Sequence, residues 1–178
     1  KALADHRLCG ALTTTEFSIP GMLTFFAGTH TVRAVAAPDF VKRHFSRGVT
    51  REAIQQAPAL RYDHQEPHMP MWLERNLHDP IMLNSNFLPS SQAIANVCVA
   101  GIAWGMVSSL ICDPALFDGG LVELIPESGL VQPLYWHVSA PLADVFKPIT
   151  QALCAHAAEA SYSAPGDACG RDISLIAD

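Results

Sequence analysis

Short apolar runs alternate with segments of helical spacing along the chain. The stretch MLTFFAGTHTVRAVAA, residues 22–37, is rich in β-branched and aromatic residues and predicts one long strand, or two strands broken near Gly28. Apolar positions three and four apart predict a long amphipathic helix over residues 141–160. The same criteria predict further strands at 9–14, 59–63, 81–87, 102–104, 118–127 and 132–139, and helices at 38–45, 49–57, 67–77, 90–100 and 106–111. This alternation predicts an α/β domain with a mostly parallel sheet.

Two groups of hydroxyl side chains follow predicted strands. Thr13, Thr14 and Thr15 lie where the strand at 9–14 ends, and Ser90 and Ser91 open the helix at 90–100. In parallel α/β sheets, ligands bind outside the carboxyl ends of the strands, near helix N-termini. The free amides and partial positive charge of a helix N-terminus suit a carboxylate. The alternatives are N-capping by serine and a turn at the threonines, and the residues alone favour capping.

Composition and charge exclude several classes of protein. The chain has 178 residues and is 49% hydrophobic, which is enough for a substantial core, and its net charge is −6. Its 11 Lys and Arg residues are scattered, which argues against nucleic-acid binding by this chain alone. No apolar run reaches membrane-spanning length, and no secretory signal is visible. Five cysteines without CxxC spacing indicate a reducing cytoplasm.

Signatures of catalysis are missing from the sequence. There is no GxSxG, Walker, GxGxxG or HExxH motif, so we expect no enzyme, no catalytic residues and no cofactor. The run HQEPH, residues 64–68, brings two histidines and a glutamate together, but Pro67 interrupts any helical ligand face, and we expect a loop without metal. Cys98 and Cys112 lie in apolar patterns with no base nearby, which predicts unreactive thiols.

Several segments together resemble one family of proteins. The sequence is similar to the effector-binding domain of LysR-type transcriptional regulators, in the branch that responds to arginine and lysine. The resemblance covers nearly everything from residue 3 to about residue 160. The segments that carry it are GALTT at 10–14, RAVAAPDFVKRHFSRGVTREAIQQAP at 33–58, YDHQE at 62–66, LPSSQA at 88–93, GIAWGM at 101–106, GGLVEL at 119–124 and PLYWH at 133–137.

The resemblance implies a fold and a division into lobes. The expected fold is a two-lobed α/β effector domain of the type II periplasmic-binding-protein-like class, with the first lobe incomplete. The first lobe would be residues 1–37 plus 133–162, the second lobe residues 38–132, and residues 163–178 a flexible tail. Lys1 falls in what we interpret as the end of a helix before GALTT. The winged helix-turn-helix and the first strand–helix–strand of the family have no counterpart here, so we expect an N-terminally truncated regulator.

The resemblance also implies a function and partners. The domain would sense a small-molecule effector, a basic amino acid such as lysine or arginine, and so control genes of amino-acid export or metabolism. It would act as a cytoplasmic homodimer or homotetramer, away from the membrane, and contact DNA only through the missing N-terminal domain. The alternative is a periplasmic-type solute-binding protein for a small amino acid, which shares the two-lobed fold.

The hydroxyl groups become candidate effector contacts in this family. The resemblance favours ligand contact by Ser90 or Ser91, while the other serine caps the helix. Thr13, Thr14 and Thr15 would add hydroxyls from the facing lobe, although a simple turn explains these threonines equally well.

Acidic and aromatic residues complete the predicted site. Asp63 would pair with the cationic end of the ligand, because a buried charge is costly without a partner; Glu66 and Glu16 are further candidates. Solvated loop acids, or capping of the next helix by Asp63, are the alternative. Trp104 and Met106 would line the cleft, or else support the turn at Gly105 from the core.

Overall fold

The structure is a computed structural model that describes residues 8–78, 81, 83 and 85–162. Its strands are β1 (Gly10–Thr13), β2 (Met22–Ala36), β3 (Ala59–Arg61), β4 (Ser85–Phe87), β5 (Trp104–Ser108), β6 (Val122–Glu123) and β7 (Leu130–Ser139). Its helices are α1 (Pro38–His44), α2 (Arg51–Gln56), α3 (His68–Leu77), α4 (Ser91–Val99), α5 (Ser109–Phe117) and α6 (Ala143–Tyr162), with a 3₁₀ turn at Ala140–Leu142. The predicted helix end before residue 9 and the predicted tail at 163–178 fall largely outside the described residues.

The chain divides into two compact units. The first comprises Lys1–Thr29 and Pro133–Asp178, and the second is the continuous segment His30–Gln132. Strands β2 and β7 are long enough to contribute to both units. None of the described helices is both long enough and apolar enough to cross a membrane.

The second unit is built on strands in the order β2-β5-β3-β4, with β6 also paired to β2. Strand β3 runs parallel to β4 and to β5, whereas β2 runs antiparallel to β5 and β6. The prediction of a mostly parallel sheet is therefore wrong, and the sheet is mixed. Helical crossovers set the direction of β3, β4 and β5, which follow one another through α3 and α4. Strand β2 pairs with β5 and β6, which do not follow it directly along the chain. No single helical crossover therefore fixes its direction relative to them.

The core of the second unit lies on both faces of this sheet. Along β5, Trp104 and Met106 pack with one cluster, which contains Phe40, Ile54 and Trp72. Val107 faces the other cluster, which contains Ile94 and Cys98 of α4. Successive side chains of a strand point to opposite faces, so one short strand joins both clusters.

The first unit contains strands in the order β1-β7-β2. Strand β1 is antiparallel to β7, and Ala11 lies opposite His137. A small cluster of Ala27, Trp136 and Val138 forms its core, with Phe146 of α6 packed against it. The Trp136 indole nitrogen donates to Thr150 Oγ1 at 3.0 Å and so ties β7 to α6.

Two local predictions are wrong. The predicted helical turn at 106–111 begins as strand, because β5 continues to Ser108 and α5 starts at Ser109. Gly105 is paired with Leu60 of β3 and with Val35 of β2, and these two neighbours hold the segment extended. The predicted strand at 118–127 is limited to Val122–Glu123. Thr50 is the N-cap of α2, since its side chain accepts from the Ala53 amide.

Candidate ligand-binding site

A cavity of about 360 Å³ lies in the second unit, at the carboxyl ends of β3 and β5. Strand β2 contributes His30 and Val32 to its wall, β5 contributes Met106 and Ser108, and α4 contributes Ser91 and Ile94. The end of β3 and the loop after it supply Leu60, Arg61, Tyr62, Asp63, Gln65, Glu66, Pro67 and His68. Its volume and its mixture of apolar and polar walls suit a small organic ligand.

The N-terminus of α4 opens onto this cavity. Ser90 is the N-cap, and its hydroxyl accepts from the Ala93 amide at 3.3 Å. Ser91 is the first helical residue, and its exposed side chain lines the cavity. Ser90 therefore has the capping role that the sequence predicted for one of the two serines. The amides of the first turn, at Ser91 and Gln92, have no intrahelical acceptor and are free for an anion.

Glu66 organises the loop between β3 and α3. Its carboxylate accepts from the His68 amide at 2.6 Å and lies 2.8 Å from His68 Nδ1. Arg61 Nε lies 3.6 Å from Glu66 Oε2, and Arg61 Nη2 donates to the Glu66 carbonyl at 2.6 Å. Burial acts to raise the pKa of Glu66. The net shift is nevertheless downward, because the carboxylate accepts hydrogen bonds from the His68 side chain and from the amides of His68 and Met69, and because the charge of His68 favours the ionised form. The charge of Glu66 is therefore already matched by the protein.

Asp63 is the acid on the wall with the least internal compensation. Its Oδ1 accepts from the Gln65 amide at 2.7 Å, which closes an Asx turn. In the described part of the chain it has no ion-pair partner, and its side chain is exposed. Asp63 does not cap α3, because Glu66 accepts from the first amides of that helix.

His30 of β2 and Ser108 of β5 form a polar pair on the cavity wall. His30 Nδ1 lies 2.8 Å from Ser108 Oγ, and the buried Nε2 has no hydrogen-bond partner among the described residues. Burial and the neighbouring charge of His68 lower the pKa of His30, so its ring is neutral at physiological pH. A neutral, half-buried imidazole can give or take one hydrogen bond with a ligand.

Trp104 and Met106 have different positions. Met106 lines the cavity. Trp104 is fully buried, and its ring centroid lies 5.9 Å from that of Trp72 in the core. Its position therefore fits the packing alternative.

The three threonines belong to the first unit. Thr13 ends β1, and its hydroxyl donates to the Thr15 carbonyl at 2.8 Å. Thr14 and Thr15 follow the strand with exposed side chains. We call residues 13–15 the threonine turn. Glu16, the further acidic candidate beside it, is exposed as well.

Metal and thiol chemistry have no visible basis in the described residues. No group of three or more His, Cys, Asp or Glu side chains there is arranged to hold a metal ion. In the HQEPH run, His64 lies against the Phe87 ring, with centroids 3.9 Å apart, and Glu66 caps α3. Burial raises the pKa of the Cys98 thiol to about 12 and that of Cys112 to about 11. Thiols with such pKa values are poor nucleophiles at neutral pH.

Sequence reasoning missed His30, Arg61 and Ser108. The antiparallel pairing of β2 with β5 places Val32 opposite Ser108. It thereby brings together the side chains of His30 and Ser108, which are 78 residues apart in sequence. No local pattern could have indicated this pairing. Arg61 and Glu66, by contrast, are close in sequence. An arginine at the end of a predicted strand, followed by a loop with acidic residues, could have indicated their contact.

Comparison with known proteins finds that the chain is similar to transcriptional regulators. The HTH-type transcriptional regulator ArgP of Photorhabdus laumondii subsp. laumondii is 32% identical over 152 residues, which is 85% of this chain and 51% of that protein. The chain spans about half the length of the curated relatives it matches. No protein-family model matches the chain. These relatives are regulators and not enzymes.

The fold is similar to solved structures of LysR-type proteins. The C-terminal domains of a LysR family protein from Agrobacterium tumefaciens are 29% identical and superpose with a TM-score of 0.83, over 89% of this chain and 76% of that one. The full-length LysR-type regulator LysG from Corynebacterium glutamicum, solved with bound effector arginine, has a TM-score of 0.75 over 89% of this chain and 54% of that one. At 20% identity, LysG supports the fold alone.

Proposed function

Because the chain is a homologue of LysR-type transcriptional regulators over their regulatory region, we propose that it is the effector-sensing part of such a regulator and binds a basic amino acid. The observation that carries this proposal is the cavity at the carboxyl ends of β3 and β5, which has a free helix N-terminus and an uncompensated carboxylate on its wall. An amino acid with a cationic side chain has the matching groups.

The first contact would be made by the α-carboxylate of the ligand. The amides at the start of α4 and the Ser91 hydroxyl would donate to it, because Ser90 already satisfies the Ala93 amide. His30 also lines the cavity, and its unpartnered Nε2 would give a further hydrogen bond to the same ligand.

The second contact would be made by the cationic side chain of the ligand. Asp63 is the acid for this role, since the charge of Glu66 is taken up by Arg61 and His68. Lysine and arginine both carry the required charge, and arginine is the effector bound in the LysG structure. We also propose Met106 as an apolar contact for the aliphatic stem of the ligand, and residues 13–15 as contacts from the first unit.

For the whole regulator, we propose that effector binding shifts the balance between conformations and so changes how attached DNA-binding domains engage an operator. The two compact units would be the two lobes of the effector domain. The regulator would act in the cytoplasm as a homodimer or homotetramer and control genes of amino-acid export or metabolism. The names of the relatives do not favour the alternative of a solute-binding protein.

The test is thermal unfolding and calorimetric titration of the chain with L-lysine and L-arginine, with L-leucine as the control ligand. A ligand that binds only the folded form stabilises it by about 2.7 kcal/mol at a hundredfold excess over Kd. We expect stabilisation by lysine or arginine, no effect of leucine, and a clearly smaller stabilisation by lysine or arginine in Asp63→Asn. Asp118→Asn is the matched control, because Asp118 is exposed and lies outside the cavity wall. Equal effects of all three amino acids would overturn the proposal.

A further inference from the structure

A buried histidine lies directly behind the threonine turn in the first unit. His137 in β7 is fully buried, and β7 has β1 on one side and β2 on the other. Its Nε2 lies 3.0 Å from Thr13 Oγ1, and its Nδ1 lies 2.9 Å from Thr24 Oγ1. Phe17 stacks on the ring, with centroids 4.2 Å apart and planes at 3°. Both nitrogens and one face of the imidazole are therefore occupied by the protein.

The direction of these hydrogen bonds follows from the Thr13 hydroxyl. That hydroxyl has a single proton and lies 2.8 Å from the Thr15 carbonyl oxygen, which can only accept. The proton must therefore point at Thr15, so His137 Nε2 has to donate to Thr13. A neutral imidazole carries one N–H, which leaves Nδ1 as an acceptor from the Thr24 hydroxyl. The hydrogen bonds therefore run in one direction: Thr24 donates to His137, His137 donates to Thr13, and Thr13 donates to the Thr15 carbonyl.

The strand register explains how the ring reaches Thr13. In the antiparallel pair of β1 and β7, Ala11 lies directly opposite His137. Thr13 is two residues further along β1, so it is the diagonal neighbour of His137 on the same face. The small Ala11 side chain leaves room for the imidazole to lean toward Thr13. A larger residue at position 11 would fill that space.

We propose that His137 is a positioning residue that fixes the threonine turn by donating from Nε2 to Thr13. With its proton committed to Thr15, Thr13 can only accept a hydrogen bond from a ligand, so it suits an ammonium group. Thr14 and Thr15 are exposed, and their hydroxyls remain able to donate to a carboxylate. The assignment of ligand groups rests on the proposed function, whereas the fixing of the turn does not.

The first experiment reads the imidazole tautomer by ¹⁵N NMR of histidine-labelled chain at about pH 8, above the ordinary pKa of histidine. We expect protonated Nε2 and unprotonated Nδ1 at His137. A ring that carries its proton on Nδ1 and none on Nε2 would overturn the proposal. This measurement needs no ligand, so its failure is distinct from failure of the proposed function.

The second experiment compares H137Q with H137N. A glutamine amide nitrogen reaches the position of Nε2 and can still donate to Thr13, whereas an asparagine amide reaches only the position of Nδ1. We expect H137N to shift the amide resonances of Thr14 and Thr15 and to weaken lysine or arginine binding about tenfold, the equivalent of one hydrogen bond. H137Q should keep these resonances near their original positions.

Thr24→Val separates positioning from a general loss of stability. It removes the other hydrogen bond of the same ring but keeps the Nε2 donor, so it should lower the melting temperature and leave the turn resonances in place. Equal displacement of the turn by T24V and H137N would overturn the proposal. If H137N does not fold, the comparison of H137Q with T24V decides, and a larger displacement in H137Q would count against the inference. If the parent chain binds neither amino acid, the proposed function fails while these resonances still test the positioning.

Discussion

The Arg61 guanidinium contacts both the backbone carbonyl and the side-chain carboxylate of Glu66. Arg61 Nη2 donates to the Glu66 carbonyl at 2.6 Å, and Arg61 Nε lies 3.6 Å from the carboxylate. Glu66 in turn accepts from the first amides of α3. The end of β3 is thereby joined to the start of α3, and the loop that carries Asp63 is held from both sides. The two acids of this loop therefore have different roles.

Glu66→Gln tests the structural role. It removes a charge that is largely shielded from solvent and accepts from His68 and Met69. We expect a loss of about 1–3 kcal/mol in the free energy of unfolding, measured by urea titration. Asp63→Asn should change that free energy by less than about 0.5 kcal/mol, because Asp63 is exposed. Similar losses in the two variants would contradict this division of roles.

Asp63→Asn tests the binding role by charge. An uncompensated carboxylate favours a cationic ligand, so the variant should bind lysine or arginine about tenfold more weakly. Its affinity for a neutral amino acid of similar length should not change. Calorimetric titration of both ligands gives the comparison, and equal losses for the cationic and the neutral ligand would remove Asp63 from the charge-pairing role.

Ser90→Ala and Ser91→Ala should separate capping from ligand contact. Ser90 accepts from the Ala93 amide, so its loss should lower the free energy of unfolding by about 1 kcal/mol. Ser91 makes no side-chain hydrogen bond within the described residues, so S91A should leave stability nearly unchanged and weaken ligand binding. Ser46→Ala is a matched control at an exposed serine outside the cavity. A stability loss in S91A equal to that in S90A would contradict the assignment.

Two half-buried histidines make stability depend on pH. Burial and the charge of His68 lower the pKa of His30, and burial and Arg43 lower that of His44, both from an ordinary value of 6.5. As the pH falls, the unfolded chain therefore binds protons at a higher pH than the folded chain. Stability that is complete above pH 6.5 is lost as the pH falls from that value through the lower folded-state pKa values. Urea titrations between about pH 8 and pH 5 should show this decrease, and His30→Gln should make it shallower. An unchanged slope in H30Q would contradict the contribution of His30.

Sequence predicted best the features that depend on neighbours along the chain. The start of α4 is confirmed with Ser90 as its cap, because capping needs only the residues of one turn. The helical turn predicted at Met106 is wrong, because Gly105 and Met106 are held in β5 by strands distant in sequence. The pair of His30 and Ser108 has the same origin, since only the register of β2 and β5 brings the two side chains together. Local sequence patterns therefore cannot predict a cavity wall whose residues come from different strands.

The buried thiols should resist alkylation in the folded chain. Burial raises the pKa of Cys98 to about 12 and that of Cys112 to about 11, and iodoacetamide reacts with the thiolate. Cys9 is exposed and should react before Cys98 and Cys112. Peptide mass spectrometry after a short exposure at neutral pH should find Cys98 and Cys112 unmodified, and both should react in urea. Modification of either at the rate of Cys9 would show that the core around α4 opens readily.

Gly105 sets how closely α4 approaches the sheet. A Cβ at this position would lie 2.9 Å from Ile94 Cγ2 and 3.2 Å from the Leu60 carbonyl oxygen. Gly105→Ala should therefore lower the free energy of unfolding by about 1–3 kcal/mol through overpacking. Gly120→Ala is the matched control, because its Cβ would meet its nearest neighbour, the Ala115 carbonyl oxygen, at an ordinary 3.6 Å.

A double-mutant cycle tests whether Ile94 is the residue that limits this approach. Ile94→Ala alone should cost about 2–5 kcal/mol, because Ile94 is buried in the core. It also removes the methyl group that a Cβ at Gly105 would strike, so the double variant should be more stable than the sum of the two single losses predicts. Because Ile94 also lines the cavity, G105A should weaken lysine or arginine binding as α4 moves outward. Additive stability losses, or unchanged binding in G105A, would show that the sheet and not α4 absorbs the added methyl group.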